Sequence, residues 1–248
     1  MTTPPILLLH GWGGSFASSF EAHGWTAAPA AANRTFIRMD LPGHADPDAP
    51  LDPAAYADLA ASVAARLPPE PVDIVGYSLG AKIALALAIA SPDKVRRLAL
   101  FGIGDNLFAP EPAADVIVDA LEQGVTADTP ALAKGLVEDS QASGSNPLAL
   151  AAVLRRRPNP VVDATALADL ASRTMLINSS DDRVAQPDER LRNAMPGLTY
   201  VQLNGPGHVA LPGDADVRRL STEFLKVEAQ HSGDVPDRKR DDQSGGCP

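Results

Sequence analysis

Six short apolar runs punctuate the chain, at residues 5–10, 34–40, 72–77, 96–103, 173–179 and 198–204. Most are unbroken stretches of leucine and β-branched residues rather than clean alternations. A strand with one wet face alternates; a strand buried on both faces does not, and that is the condition of a parallel sheet covered by helices. Between the runs lie helical patterns. Residues 54–66 place Tyr56, Leu59, Ala60 and Val63 at helical spacing. Residues 80–90 carry Ile83, Leu85, Leu87 and Ile89 in a nearly all-apolar segment, as a helix wedged against a sheet requires. Residues 187–194 and 215–227 supply two more. The alternation predicts an α/β fold with a doubly wound, mostly parallel sheet.

One interval departs from that rhythm. From 105 to 172 no strand is expected; 111–123, 130–140, 147–156 and 163–171 read as short helices separated by proline and glycine. A plain crossover does not need this length, so residues 105–172 are expected to form a helical cap inserted after the strand at 96–103. Residues 1–104 and 173–227 would then form the core. Residues 228–248 are polar and aperiodic, the pattern of a disordered tail.

Charge and cysteine content narrow the chemistry. Against 31 acidic residues stand 21 basic ones, a net charge of −10, which repels phosphate backbones. The densest cationic run, Arg155-Arg156-Arg157, is too short for a nucleic-acid stripe, so no nucleic-acid partner is expected. The single cysteine, Cys247, rules out an internal disulfide and a cysteine-based zinc site. Neither metal nor cofactor is expected. No stretch approaches the ~18 apolar residues of a membrane span, and no basic region precedes 6–9, so a cytoplasmic location is expected.

The sharpest local signal is Gly76-Tyr-Ser-Leu-Gly80, which closes the run at 72–77 and opens the helical pattern at 80–90. In that strand–turn–helix context G-x-S-x-G is a nucleophile elbow, with the Ser78 hydroxyl raised above the carboxyl ends of the strands. A serine needs a base. In chains built on this motif the order is serine, acid, histidine, which sets aside His10, His23 and His44. Of the two that remain, His231 lies in the polar tail, whereas His208 follows the last apolar run in Asn204-Gly-Pro-Gly-His208. The acid is expected after the run at 173–179, where Asp181 and Asp182 are adjacent candidates and Asp182 is preferred. His10-Gly-Trp-Gly-Gly14 follows the first run and can turn amides inward. The N–H groups of Trp12 and Leu79 would form an oxyanion hole.

With these blocks in order, and with Asp40-Leu-Pro-Gly-His44 between them, the chain resembles serine hydrolases of the α/β-hydrolase fold, in the capped esterase–lipase-like branch. The likeness runs from Pro5 to Leu225. It implies Ser78 as nucleophile, Asp182 as acid and His208 as base, and no catalytic role for Asp40 or His44. The preference for Asp182 rests partly on it, since an apolar residue, here Val184, often follows two positions after the acid. Ala45 stands where the family usually has glycine. The family's N-terminal antiparallel hairpin is not expected, leaving about six core strands. A serine at 78, not an aspartate, disfavours epoxide hydrolases and haloalkane dehalogenases.

The expected activity is hydrolysis of a small carboxylic ester, lactone or thioester through an acyl-enzyme. The same three residues would serve carbon–carbon bond hydrolysis or perhydrolysis, and a hydrolase-derived ligand-binding protein is a further alternative. Pocket candidates are Leu107 and Phe108 first, then Val116, Ile117, Leu121, Leu132, Leu136, Leu148, Leu150 and Leu154. With no basic pocket evident, an uncharged or weakly polar acyl group is expected. An acyl-carrier-protein partner would need Arg155–Arg157 as a landing patch on this acidic chain.

Overall fold

Strands that share burial on both faces build the centre of the molecule. A computed structural model describes residues 3–27, 34–109, 114–156 and 162–226. Its strands are β1 (Ile6–Leu9), β2 (Phe36–Ile37), β3 (Val72–Tyr77), β4 (Val95–Phe101), β5 (Thr174–Ser179) and β6 (Thr199–Leu203). They form one six-stranded sheet in the order β2-β1-β3-β4-β5-β6, with every neighbouring pair parallel. Successive residues point to opposite faces and feed two cores. Leu7, Leu9, Ile74, Leu98, Leu100 and Leu176 pack on one face with α1 (Leu59–Ala64) and α2 (Leu79–Ala90). Leu8, Val75, Tyr77, Phe101 and Ile177 pack on the other with Phe20, Trp25 and α7 (Ala215–Lys226). The sheet is therefore doubly wound. No helix among the described residues is long and apolar enough to cross a membrane.

Two expected elements are shorter than the pattern suggested, for local reasons. The run at 34–40 pairs only at Phe36 and Ile37. Beyond them the chain bonds to side chains and leaves the ladder: Leu41 N–H donates to His10 Nε2 at 3.0 Å, and Asp40 Oδ1 accepts from Phe16 N–H at 2.6 Å. The helix expected at 54–66 is split by two caps. Asp52 accepts from Ala54 N–H at 2.9 Å and starts a 3-10 turn, Pro53–Tyr56; Asp58 accepts from Ala61 N–H at 2.8 Å and starts α1.

Between β4 and β5 lie α3 (Ala114–Gln123), α4 (Ala131–Ala142) and α5 (Pro147–Arg155), then a 3-10 run, Ala164–Arg173, where a fourth short helix was expected. α3 rests on both α4 and α5, and α5 rests on the turn Pro53–Tyr56. α6 (Glu189–Ala194) precedes β6. The expected tail, 228–248, lies outside the described residues.

One polar cluster runs through the far end of the sheet. Asp73 is fully buried and accepts from Arg34 Nη2 at 2.5 Å and from Arg96 Nε at 2.8 Å. Both arginines also donate to the Leu225 carbonyl, at 3.2 and 2.7 Å, while Arg97 donates to that of Phe224 at 2.6 Å. Carbonyls in the last turn of α7 thus accept from cations on β4 and from Arg34, two residues before β2.

Candidate active site

Ser78 joins β3 to α2 and has φ +51° and ψ −114°, a left-handed backbone that costs a non-glycine residue about 1–3 kcal/mol. The surroundings over-determine it. Its N–H donates to the Phe101 carbonyl at 3.0 Å, and its own carbonyl accepts from Ala81 and Lys82 at 3.0 and 3.1 Å. The flanking glycines let backbones close in: a Cβ on Gly80 would stand 2.1 Å from the Leu9 carbonyl oxygen, and one on Gly76 2.8 Å from Ala81 Cα. Ser78 is the residue before the first turn of α2, yet its hydroxyl caps nothing there. It faces His208, whose Nε2 lies 3.0 Å away.

His208 opens the 3-10 turn His208–Gly213 after β6. Its Nδ1 lies 2.9 Å from Asp182 Oδ2 and 3.0 Å from Oδ1. Asp182 is fully buried, and its Oδ1 also accepts from Val184 and Ala185 N–H at 2.9 and 3.0 Å. An ionised carboxylate only accepts, so Nδ1 is the protonated nitrogen and the lone pair of Nε2 faces the serine hydroxyl. The geometry brings together Ser78, His208 and Asp182. Asp181 is solvent-exposed, with Ser180 Oγ at 3.1 Å from its Oδ1.

Tyr77, which G-x-S-x-G leaves as an unspecified position, braces the histidine. Its hydroxyl donates to the His208 carbonyl at 3.0 Å, and the two rings lie 5.2 Å apart. Burial, and next the charge of Asp182, push its phenol far above the ordinary range, so it stays a donor. The sequence signal was present only as an aromatic inside the motif.

His10 is fully buried at the end of β1. Its Nδ1 donates to the Gly11 carbonyl at 2.8 Å while Nε2 accepts from Leu41 N–H, so it ties two loops together as a neutral ring. Burial lowers its pKa, and burial followed by its neighbour His10 pushes His44 down to about 3. Beyond His10 the loop turns back with Gly13 at φ +78°, and a Cβ on Gly11 would meet the Tyr77 ring at 2.7 Å. Among the described residues, the amides of Trp12 and Leu79 have no acceptor within the protein.

Both residues line a cavity of about 80 Å³ that also touches Ser78 and His208. Ile117 from α3, Leu136 from α4, Leu154 from α5 and Val184 supply its apolar wall. Leu107 and Phe108 do not line it. Leu107 is 1% exposed in the core beside α2, and Phe108 lies under the Arg190 guanidinium, 4.1 Å from its ring centroid. The sequence suggested a pocket without basic groups, but Lys82 and Arg156 are in its wall. Of the arginine run, Arg157 lies outside the described residues. Arg155 makes a two-pronged pair with Glu122, and Arg156 is buried.

A model of the alpha/beta hydrolase family matches residues 6–220. The chain belongs to the alpha/beta hydrolase family. Among curated relatives of this hydrolase, the pimeloyl-(acyl-carrier protein) methyl ester esterase of Chromobacterium violaceum is 40% identical over 101 residues, 39% of this chain and 36% of that protein. The 2-hydroxymuconate semialdehyde hydrolase of Pseudomonas sp. strain CF600 is 34% identical over 102 residues, 40% of this chain and 36% of that protein. The matched stretch thus spans little more than a third of either relative. NosK from Streptomyces actuosus shares the fold, with a TM-score of 0.63 at 22% identity over 90% of this chain and 98% of that one.

Proposed function

We propose that this alpha/beta hydrolase is a serine hydrolase of carboxylic esters, lactones or thioesters, working through an acyl-enzyme on Ser78. The observation that carries the reading is the unbroken chain from Ser78 Oγ to His208 Nε2 at 3.0 Å and from His208 Nδ1 to buried Asp182 at 2.9 Å. His208 takes the serine proton as Oγ attacks the carbonyl carbon, and Asp182 steadies the imidazolium that results. The Trp12 and Leu79 amides receive the oxyanion. Collapse expels the alcohol with the proton from His208, and water then repeats the sequence to release the acid. Residues 105–172 serve as the cap, since α3, α4 and α5 each give a residue to the cavity wall. Likeness to an ester-cleaving relative supports the ester bond as the target; likeness to a semialdehyde hydrolase favours, as a second reading, carbon–carbon bond hydrolysis by the same residues.

The test is chemical. A fluorophosphonate probe is expected to add one adduct, on Ser78, and p-nitrophenyl butyrate turnover is expected to vanish in Ser78→Ala. An unlabelled protein, or an adduct on another serine, would remove the reading. Labelling with ester turnover absent, but with cleavage of a vinylogous 1,5-diketone acid, would select the second reading.

A further inference from the structure

Arg156 is the residue in the cavity wall that the hydrolase reading leaves without a task. It follows the last turn of α5, is 4% exposed, and donates through Nη1 to the Val153 carbonyl. Its Nε is buried and has no partner. Among the described residues no carboxylate pairs with it. The titratable group that senses its charge is His44, itself neutral with a pKa pushed down to about 3. Burial alone lowers the arginine's own pKa, to about 10, so the guanidinium is still charged at neutral pH. A buried cation with no counter-ion and an unmade hydrogen bond is costly and rare in a finished core. In a cavity wall the missing anion can arrive with the ligand.

We propose that Arg156 is an anion subsite for the substrate. The substrate class is then an ester whose far end carries a carboxylate, held by the guanidinium fork while the scissile carbonyl lies at Ser78. Ile117, Leu136 and Leu154 share that wall and suit a methylene chain linking the two ends. The planar fork of arginine matches a carboxylate with two parallel bonds, and the low local polarity strengthens them. The inference rests on the hydrolase reading for its carbonyl end and on Arg156 alone for its charged end.

Paired substrates separate the two. The monomethyl esters of succinic, adipic and suberic acids are compared with methyl butanoate, hexanoate and octanoate, which match them in length and lack the charge. The wild-type protein is expected to favour the charged member of at least one pair by about ten- to a hundredfold in kcat/KM, the range of a charge-assisted hydrogen bond. Arg156→Gln is expected to bring that ratio near one, chiefly through KM, and Arg156→Lys to restore part of it. Equal rates within every wild-type pair would overturn the proposal while leaving the hydrolase reading intact, and need no variant to fold. A preference that survives Arg156→Gln but falls in Lys82→Gln would also overturn it, by moving the anion to the other cation. Calorimetry with free adipate on Ser78→Ala, which needs no turnover, is expected to show binding that disappears when Arg156→Gln is added. Failure of that binding counts against the subsite; failure of Ser78 labelling counts against the hydrolase.

Discussion

Ser78 gives up the cap it could make at the head of α2 and accepts a left-handed backbone, and what it gains is a hydroxyl aimed at His208. Asp182 completes the line, and its Oδ1 accepts two amides besides the imidazole, which fixes the carboxylate in place. Asp182→Asn is therefore expected to keep the fold but turn the imidazole to the wrong tautomer, lowering kcat by on the order of 10⁴. Asp181→Asn, on the exposed neighbour, is expected to change kcat by less than about threefold, the scale of a surface substitution. Steady-state kinetics of the two variants, side by side, checks the assignment, and equal losses would undo it. Ala45 carries the same kind of strain with no chemistry to show for it. It has φ +51° and its N–H donates to Ser145 Oγ at 2.9 Å. A left-handed alanine costs about 1–2 kcal/mol, partly offset by the entropy that glycine loses on folding, so Ala45→Gly is expected to raise Tm by about 1–3 °C. Calorimetric melting reads it, and a lower Tm would mean the alanine methyl has a packing role.

At the scale of elements, legibility followed burial. β3 and α2 are predictable from their residues because both are walled in, so nearly every position is apolar, with Asp73 and Lys82 the charged exceptions. β2 is an edge, and just beyond it Leu41 donates to the His10 ring and Asp40 accepts from the Phe16 amide, partners that a pattern of apolar residues cannot register. The candidate serine was legible because its strand–turn–helix context is local, and the order serine, acid, histidine narrowed the other two. The cavity wall was legible only in part: Ile117, Leu136 and Leu154 stood among the candidates, but the sequence does not say which face of α3, α4 and α5 turns inward. Leu107 and Phe108 look like pocket residues in one dimension and are packing residues in three. Arg156 reads as part of a short cationic run, and only the structure shows it buried. The cavity contact first expected of Leu107 and Phe108 is made instead by Ile117, Leu136 and Leu154. Ile117→Ala and Leu154→Ala are expected to move the optimum toward longer acyl chains, by about 10- to 200-fold in the ratio of kcat/KM between short and long p-nitrophenyl esters. Phe108→Ala is expected to leave that ratio flat, and a profile that tracks Phe108 would relocate the pocket.

For the molecule as a whole, acid is the foreseeable weakness. His44 ionises near 6.5 in an unfolded chain and only near 3 in the native one. Between those values the unfolded state binds a proton that the native state refuses, so stability is complete above about pH 6.5 and falls as pH drops toward 3. The slope from this one group is about 1.4 kcal/mol per pH unit, and His10, lowered in the same direction, steepens it. Urea unfolding from pH 7 to 4 is expected to show a shallower decline for His44→Asn than for the wild type; parallel curves would mean the ring is not buried neutral. The other whole-molecule constraint lies at the amino-terminal ends of the central strands β3 and β4. Arg34 and Arg96 share Asp73, and both finish on the carbonyl of Leu225. During synthesis the arginines and the aspartate emerge long before that carbonyl does. A nascent chain still holding residue 225 inside the ribosome has two cations facing one carboxylate, with no cap to complete them. The polar cluster around Asp73 is therefore complete only after α7 has been made.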